Sequence, residues 1–249
     1  MLLMPLTLDY CSQHSPGFRC AQLSTIILLT TKMFRFFDIF RLFPIRVARF
    51  LRHFTHIFKI SFLQWFIESC FLFFEIFGIF DIYDIFASLT KRARPMTDRE
   101  IIIARSVFGD NIAYTRVRLD ERAYWGPRKG SFCYVSCNTI NSWGILPDAV
   151  LIHELMHIWQ YQHLGIVYIP RALAAQFSAE GYNYGGATAL YEAIKQDKHL
   201  LDFNYEQQAD IIEDYYRILT GLPTSWGNGC VRDLEVYAHF VKQLYTSII

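Results

Sequence analysis

Residues 150–159 read Val150-Leu151-Ile152-His153-Glu154-Leu155-Met156-His157-Ile158-Trp159. His153 and His157 are four apart, which on a helix places them one turn apart on one face. Two neutral imidazoles held that way bind one Zn²⁺ together, and Glu154, next in line, reaches a metal-activated water as general base. The flanking residues are uncharged, with an apolar pair, Ile158 and Trp159, after the second histidine. Such a helix is expected to be buried on both sides. A core helix carrying these residues by chance would bury Glu154 without a partner, which is costly. A bound cation removes that cost.

Outward from this helix the sequence alternates elements and breaks. Thr97-Asp98-Arg99-Glu100 is a capping box that opens a short helix ending near Phe108-Gly109. Ile112 to Leu119 alternates and predicts a strand; Phe132 to Ile140 predicts another, with Gly126-Pro127 and Gly130 between them. Pro147 is placed as the first residue of the histidine helix, which runs to about His163 and stops at Gly165. Helices are expected over Ile169 to Ala179, Ala187 to Lys195, Tyr205 to Leu219 (capped by Asn204) and Val231 to Tyr245, with a glycine-flanked loop at Gly181 to Gly186. The pattern is α+β and mainly helical, with a small sheet. No internal repeat is present.

The chain of 249 residues is 53% hydrophobic and only 19% charged, with 22 Phe and 15 Tyr, well below the roughly 25% charge of ordinary soluble domains. Residues 1–95 carry eleven Lys/Arg against six Asp/Glu, a balance of +5; the remainder carries thirteen against seventeen, a balance of −4. Two regions with different surroundings are expected. Nucleic acid is excluded as a partner, since no basic patch interleaved with stacking aromatics occurs in the acidic part. The six cysteines are scattered and read as small core residues; Cys133 and Cys137 fall on one face of a single predicted strand.

Residues 1–31 are expected to be poorly ordered. Arg19 precedes an apolar run, Ala21 to Leu29, that has something of a signal peptide but is short, late and without a small-residue cleavage site; Met33 is an alternative start. Residues 32–95 form an apolar helical hairpin. In its first helix Arg46, Arg49, Arg52, His53, His56 and Lys59 share one arc and Val47, Phe50, Leu51, Phe54, Ile57 and Phe58 the other. That pattern suits a helix in a membrane interface or one docked on a partner or on its own chain. Phe62 to Phe86 is long enough to span hydrocarbon, but Glu68, Glu75, Asp81 and Asp84 argue against a simple span. Gln64, Glu68 and Glu75 line one strip that would meet the basic face of the first helix. Lys91 to Pro95 reads as the boundary to a domain over residues 96–249.

The motif helix and its surroundings resemble the zincin metallopeptidases, and the α+β layout resembles a minimal zincin catalytic core. Two family patterns compete for the third ligand. His163 stands where metzincins place a third histidine, but Gln160 replaces the glycine that bends the chain back, and no Met follows Met156. His163 is therefore expected at the surface. In gluzincins the third ligand is a downstream helical Glu, followed four residues later by an acid that orients a ligand histidine. That resemblance implies Glu206 as ligand and Asp210 as the partner of His153, in Asn204-Tyr205-Glu206-Gln207-Gln208-Ala209-Asp210. It further implies a zinc-dependent endopeptidase acting on a peptide or protein, with Glu154 as base. Tyr184 and His239 are candidates for stabilising the oxyanion. Leu151 to His163 also resembles bacterial proteins with this motif that accompany contractile secretion and injection systems. A membrane surface or a secretion-system component is an expected partner, and a membrane-associated location or secretion by a non-classical route an expected destination; a cytoplasmic location stays open. The alternative reading is a non-catalytic zinc-binding accessory protein of such an assembly, or a delivered protease effector.

Overall fold

The computed structural model describes residues 40–55, 60–89, 93–123 and 132–246. The expectations for residues 1–31, for Met33, for His56 and Lys59, and for the Gly126–Gly130 turn lie outside these. Helix α1 covers residues 40–54, followed by α2 (Phe62–Ile76) and α3 (Ile79–Leu89). The expected continuous stretch from Phe62 to Phe86 is thus two helices. They are separated at Gly78, whose φ of +68° lies in the left-handed region that favours glycine.

Arg94 and Pro95, at the expected boundary, form strand β1 and pair antiparallel with β2 (Arg118–Asp120). Between them α4 (Asp98–Phe108) is opened by the Thr97 capping box, with Glu100 N–H donating to Thr97 Oγ1 and Thr97 N–H to Glu100 Oε2. The predicted strand at 112–119 is shortened. Residues Tyr114–Arg116 make a 3₁₀ turn held by the Tyr114 hydroxyl on the Gly109 carbonyl, so only the end of the segment reaches the sheet. The predicted strand at 132–140 is instead a hairpin of β3 (Tyr134–Ser136) and β4 (Thr139–Asn141). Cys137 takes a positive φ at its tip, with Asn138, a turn former, beside it. Cys133 and Cys137 therefore do not share one strand. The sheet order is β1-β2-β4-β3, with β2 and β4 parallel, giving a mixed sheet in a mainly helical α+β fold.

Helix α5 (Asp148–Leu164) follows, then α6 (Tyr168–Gln176), α7 (Gly186–Lys195), α8 (Tyr205–Leu219) and α9 (Leu234–Val241). The expected last helix is α9 flanked by two 3₁₀ segments. Pro147 sits one position before α5, with Asp148 in the first turn. From Leu151 to Gln160 every residue of α5 is buried, as expected for a helix enclosed on both sides. Its apolar members, Leu151, Ile152, Leu155, Met156, Ile158 and Trp159, form the centre of the core, each contributing ~1.5–3 kcal/mol by burial. Helix α5 packs most extensively on α8. Asn204 caps α8 by accepting from the Glu206 and Gln207 N–H groups, which fixes the rotation of its first turn.

The hairpin is joined to this core by charge. Glu68 is fully buried and takes two hydrogen bonds from Arg171 of α6, at 2.8 and 3.0 Å. Glu75 pairs with Arg49 and also accepts from the Ile166 N–H, just past the end of α5. Gly165 ends α5 at φ +84°, and a Cβ there would lie 2.0 Å from the Arg49 guanidinium. A glycine is required where the hairpin's ion pair meets the helix end. Arg46 pairs with Asp81 at 2.6 Å. Of the expected meeting of acidic strip and basic face, Arg49 reaches Glu75 and His53 Nδ1 lies 3.6 Å from Glu68, whereas Arg52 is exposed.

Candidate metal centre

Helical spacing turns His153 and His157 to one side of α5, and the α8 cap turns Glu206 toward them. Glu206 Oε2 lies 3.4 Å from His153 Nε2 and 3.3 Å from His157 Nε2. The three donor atoms lie within 4.8 Å of one another, and all three side chains are buried. Glu206 Oε2 has no hydrogen-bond partner, whereas its Oε1 accepts from Gln176 Nε2 at 2.8 Å.

The outer nitrogens of both histidines face acceptors. His153 Nδ1 is 2.8 Å from Asp210 Oδ1 and 3.3 Å from Glu213 Oε2. Asp210 is itself held by the indole N–H of Trp226. His157 Nδ1 is 2.8 Å from Gln160 Oε1. With Nδ1 donating, each ring turns its Nε2 lone pair toward Glu206 Oε2. One carboxylate oxygen and two imidazole nitrogens, with their outer partners in place, form a donor set that could hold a divalent metal ion.

The electrostatics agree. Four carboxylates (Glu154, Glu206, Asp210 and Glu213) are buried around two imidazoles. Burial opposes charge on His153, but Asp210, Glu206 and Glu213 outweigh it and raise its pKa well above the usual value; Glu206 does the same for His157. Burial also opposes ionisation of Glu206, yet His157 and His153 hold its carboxyl far below the carboxylate range. Burial pushes Glu154 upward. The cluster calls for positive charge at its centre, which a divalent cation would supply. Glu154 Oε2, like Glu206 Oε2, is buried without a hydrogen-bond partner.

A cleft of about 410 Å³ opens on this cluster. One wall is the edge strand β3 and the residues before it, Phe132 to Val135; the other is α6, with Tyr168, Ile169, Ala172 and Leu173. Tyr182 borders it, its ring 6.1 Å from that of His153.

The structure brings His153, Glu154, His157, Glu206 and Asp210 together. It does not bring the two expected oxyanion groups. The Tyr184 hydroxyl donates to Asp214 Oδ2 at 2.5 Å and contacts the Tyr237 hydroxyl in the core, because the left-handed Gly185 that follows turns the loop inward there. His239 is exposed on α9 beside Phe240, away from the cleft. Tyr182, two residues earlier, faces the cleft instead. His163 is exposed at the end of α5, stacked on Trp159 with Nε2 on the Asn111 carbonyl. Three contributors escaped the sequence reading. Glu213 lies seven residues after Glu206, two turns along the same face of α8, so helical spacing was a sufficient signal. Gln160 and Gln176 carried no such signal, since only the packing of α5, α6 and α8 brings them to the ligands.

Compared with known proteins, the chain is 30% identical over 135 residues, 49% of its length, to the type VI secretion system spike protein VgrG2b of Pseudomonas aeruginosa. The match spans 13% of that much longer relative. No family model matches the chain, and no solved structure does.

Proposed function

We propose that the chain is a zinc-dependent endopeptidase of the gluzincin type, acting as a secreted or delivered component of a type VI-like secretion system. The observation that carries the reading is the convergence of His153 Nε2, His157 Nε2 and Glu206 Oε2, with both Nδ1 atoms turned to acceptors. Zinc, when bound by these three residues, supplies a Lewis acid that makes water nucleophilic near neutral pH and polarises a carbonyl. The protein's own groups do the rest. Glu154 Oε2, buried and without a partner, takes the proton of the attacking water and passes it to the leaving amine. The Tyr182 hydroxyl, at the cleft margin, donates to the developing oxyanion. Strand β3 offers an edge along which an extended peptide can pair, opposite an apolar wall that accepts its side chains. The likeness to a secretion-system spike protein supports delivery by such a machine.

The test uses the purified full chain, its zinc content and its hydrolysis of a denatured protein. Glu154→Gln is expected to keep the metal and lose hydrolysis. Glu206→Ala is expected to lose the metal, Asp210→Ala to bind it about 10–100-fold more weakly, and His163→Ala to bind it as the parent does. Full zinc in the Glu206 variant, or parent-like cleavage by the Glu154 variant, would sink the assignment.

A further inference from the structure

The hairpin of α1, α2 and α3 has its polarity reversed relative to a helix on the surface of a soluble domain. Of the three buried residues of α2, two are glutamates, Glu68 and Glu75. They point inward, to Arg171 and Arg49, and Arg46 of α1 points inward to Asp81. The apolar side chains point out. Phe62, Leu63, Phe66, Phe77 and Phe86 are each 53–71% exposed, and Leu51 and Phe54 of α1 join them. A surface helix in water shows the opposite arrangement, and scattered single apolar residues are the norm for soluble monomers.

We propose that this outward face is a lipid-docking surface that lies in one leaflet of an anionic bilayer. Three observations select lipid as the occupant. First, α2 and α3 carry only carboxylate charges, and the described carboxylates are turned into the protein, as hydrocarbon requires. Second, among the described side chains the hairpin exposes Arg52, near the end of α1, and no carboxylate; that complements anionic headgroups. Third, α2 has 15 residues, a rod of ~22 Å, short of the roughly 30 Å of a bilayer core. No described helix is long and apolar enough to cross a membrane. The hairpin therefore lies in the interface, apolar side down, while the paired charges anchor it to α6 and the end of α5.

The test is flotation of the full chain with vesicles of phosphatidylcholine alone and of an equal mixture with phosphatidylglycerol. Binding to both is expected, tighter to the anionic mixture. The triple variant Leu63→Gln/Phe66→Gln/Phe86→Gln should lower partitioning by at least ~100-fold. Arg52→Ala, a single exposed change that leaves the fold in place, should lower it about 5-fold on anionic vesicles only. Ile102→Gln, an equally exposed apolar residue on α4, should change nothing. A parent chain that stays lipid-free overturns the proposal. In that case light scattering identifies the occupant: a dimer that the triple variant dissociates means a second copy, and a soluble monomer means cover by the chain itself, residues 1–39 included. Parent-like flotation of the triple variant overturns it equally.

Discussion

Gln160 holds His157 by a hydrogen bond whose direction is set from the far side of the amide. Its Nε2 donates to the Tyr205 carbonyl and to Gln208 Oε1, both at 3.0 Å. Its Oε1 must therefore be the atom that meets His157 Nδ1, and that nitrogen must carry the proton. The residue that removes the glycine of the metzincin pattern is the one that orients the second histidine. Gln160→Leu, which keeps the volume and loses the amide, should lower zinc affinity about 10–100-fold with the helix intact. A chelator-competition titration checks this, and an unchanged affinity would show that the amide does not set the tautomer.

Tyr182 and Tyr184 should separate catalysis from folding. Tyr182→Phe should reduce kcat by about 10²–10³-fold with little change in melting temperature, since the ring stays at the cleft and only its hydroxyl is lost. Tyr184→Phe should destabilise by about 1–3 kcal/mol, because it leaves the buried Asp214 carboxylate short of a donor. Its activity per folded molecule should match the parent's. Steady-state kinetics and thermal melts on the pair decide the matter; a large kcat loss in Tyr184→Phe alone would reverse the roles.

Glu68 should be among the costliest surface-to-core contacts to remove. Glu68→Ala removes two charge-assisted hydrogen bonds to the partly exposed Arg171, and about 1.5–3 kcal/mol is expected. The exposed Glu192–Lys195 pair, screened by solvent, should show far less effect when either partner becomes Ala. Urea unfolding in the detergent or lipid that keeps the chain monodisperse measures both. Equal, small effects would mean that the hairpin is not held by its charges.

Acid should weaken the join between α4 and the sheet. Hydrogen bonds from Arg94 hold the Glu100 carboxyl at about 2, down from 4.5. A depressed carboxylate contributes stability that is complete above pH 4.5 and is lost as the pH falls through about 2. Glu100→Gln keeps a side chain able to close the capping box and removes only the charge. It should cost about 2 kcal/mol at pH 7 and progressively less below pH 4.5. A cost that is flat across this range would place the stabilisation elsewhere.

Local signals sufficed wherever one turn of helix decides the outcome. His153 and His157 share a face because of 3.6-residue periodicity alone, and Thr97 and Asn204 close caps with neighbours two or three residues away. The bounds of α8 were legible to the residue for that reason. Where two local conformations compete, periodicity alone misled: 132–140 folds back in a tight turn at Cys137, and 112–119 is diverted by the Tyr114 hydroxyl reaching Gly109, five residues back.

The sequence by itself determined that a buried helix presents two imidazoles and a carboxylate, and that a second helix carries acids at matching intervals. Only the tertiary structure decided that Glu206 Oε2 faces both Nε2 atoms, that Glu213 and Gln160 stand behind the histidines, and that Tyr182 rather than Tyr184 borders the cleft. It also decided what anchors the inner side of the hairpin. Periodicity sets the acidic strip of α2 toward the basic face of α1 but does not say what lies beyond them. The anchors are the Arg171 guanidinium and the Ile166 amide, more than ninety residues away, which give Glu68 and Glu75 partners outside the hairpin.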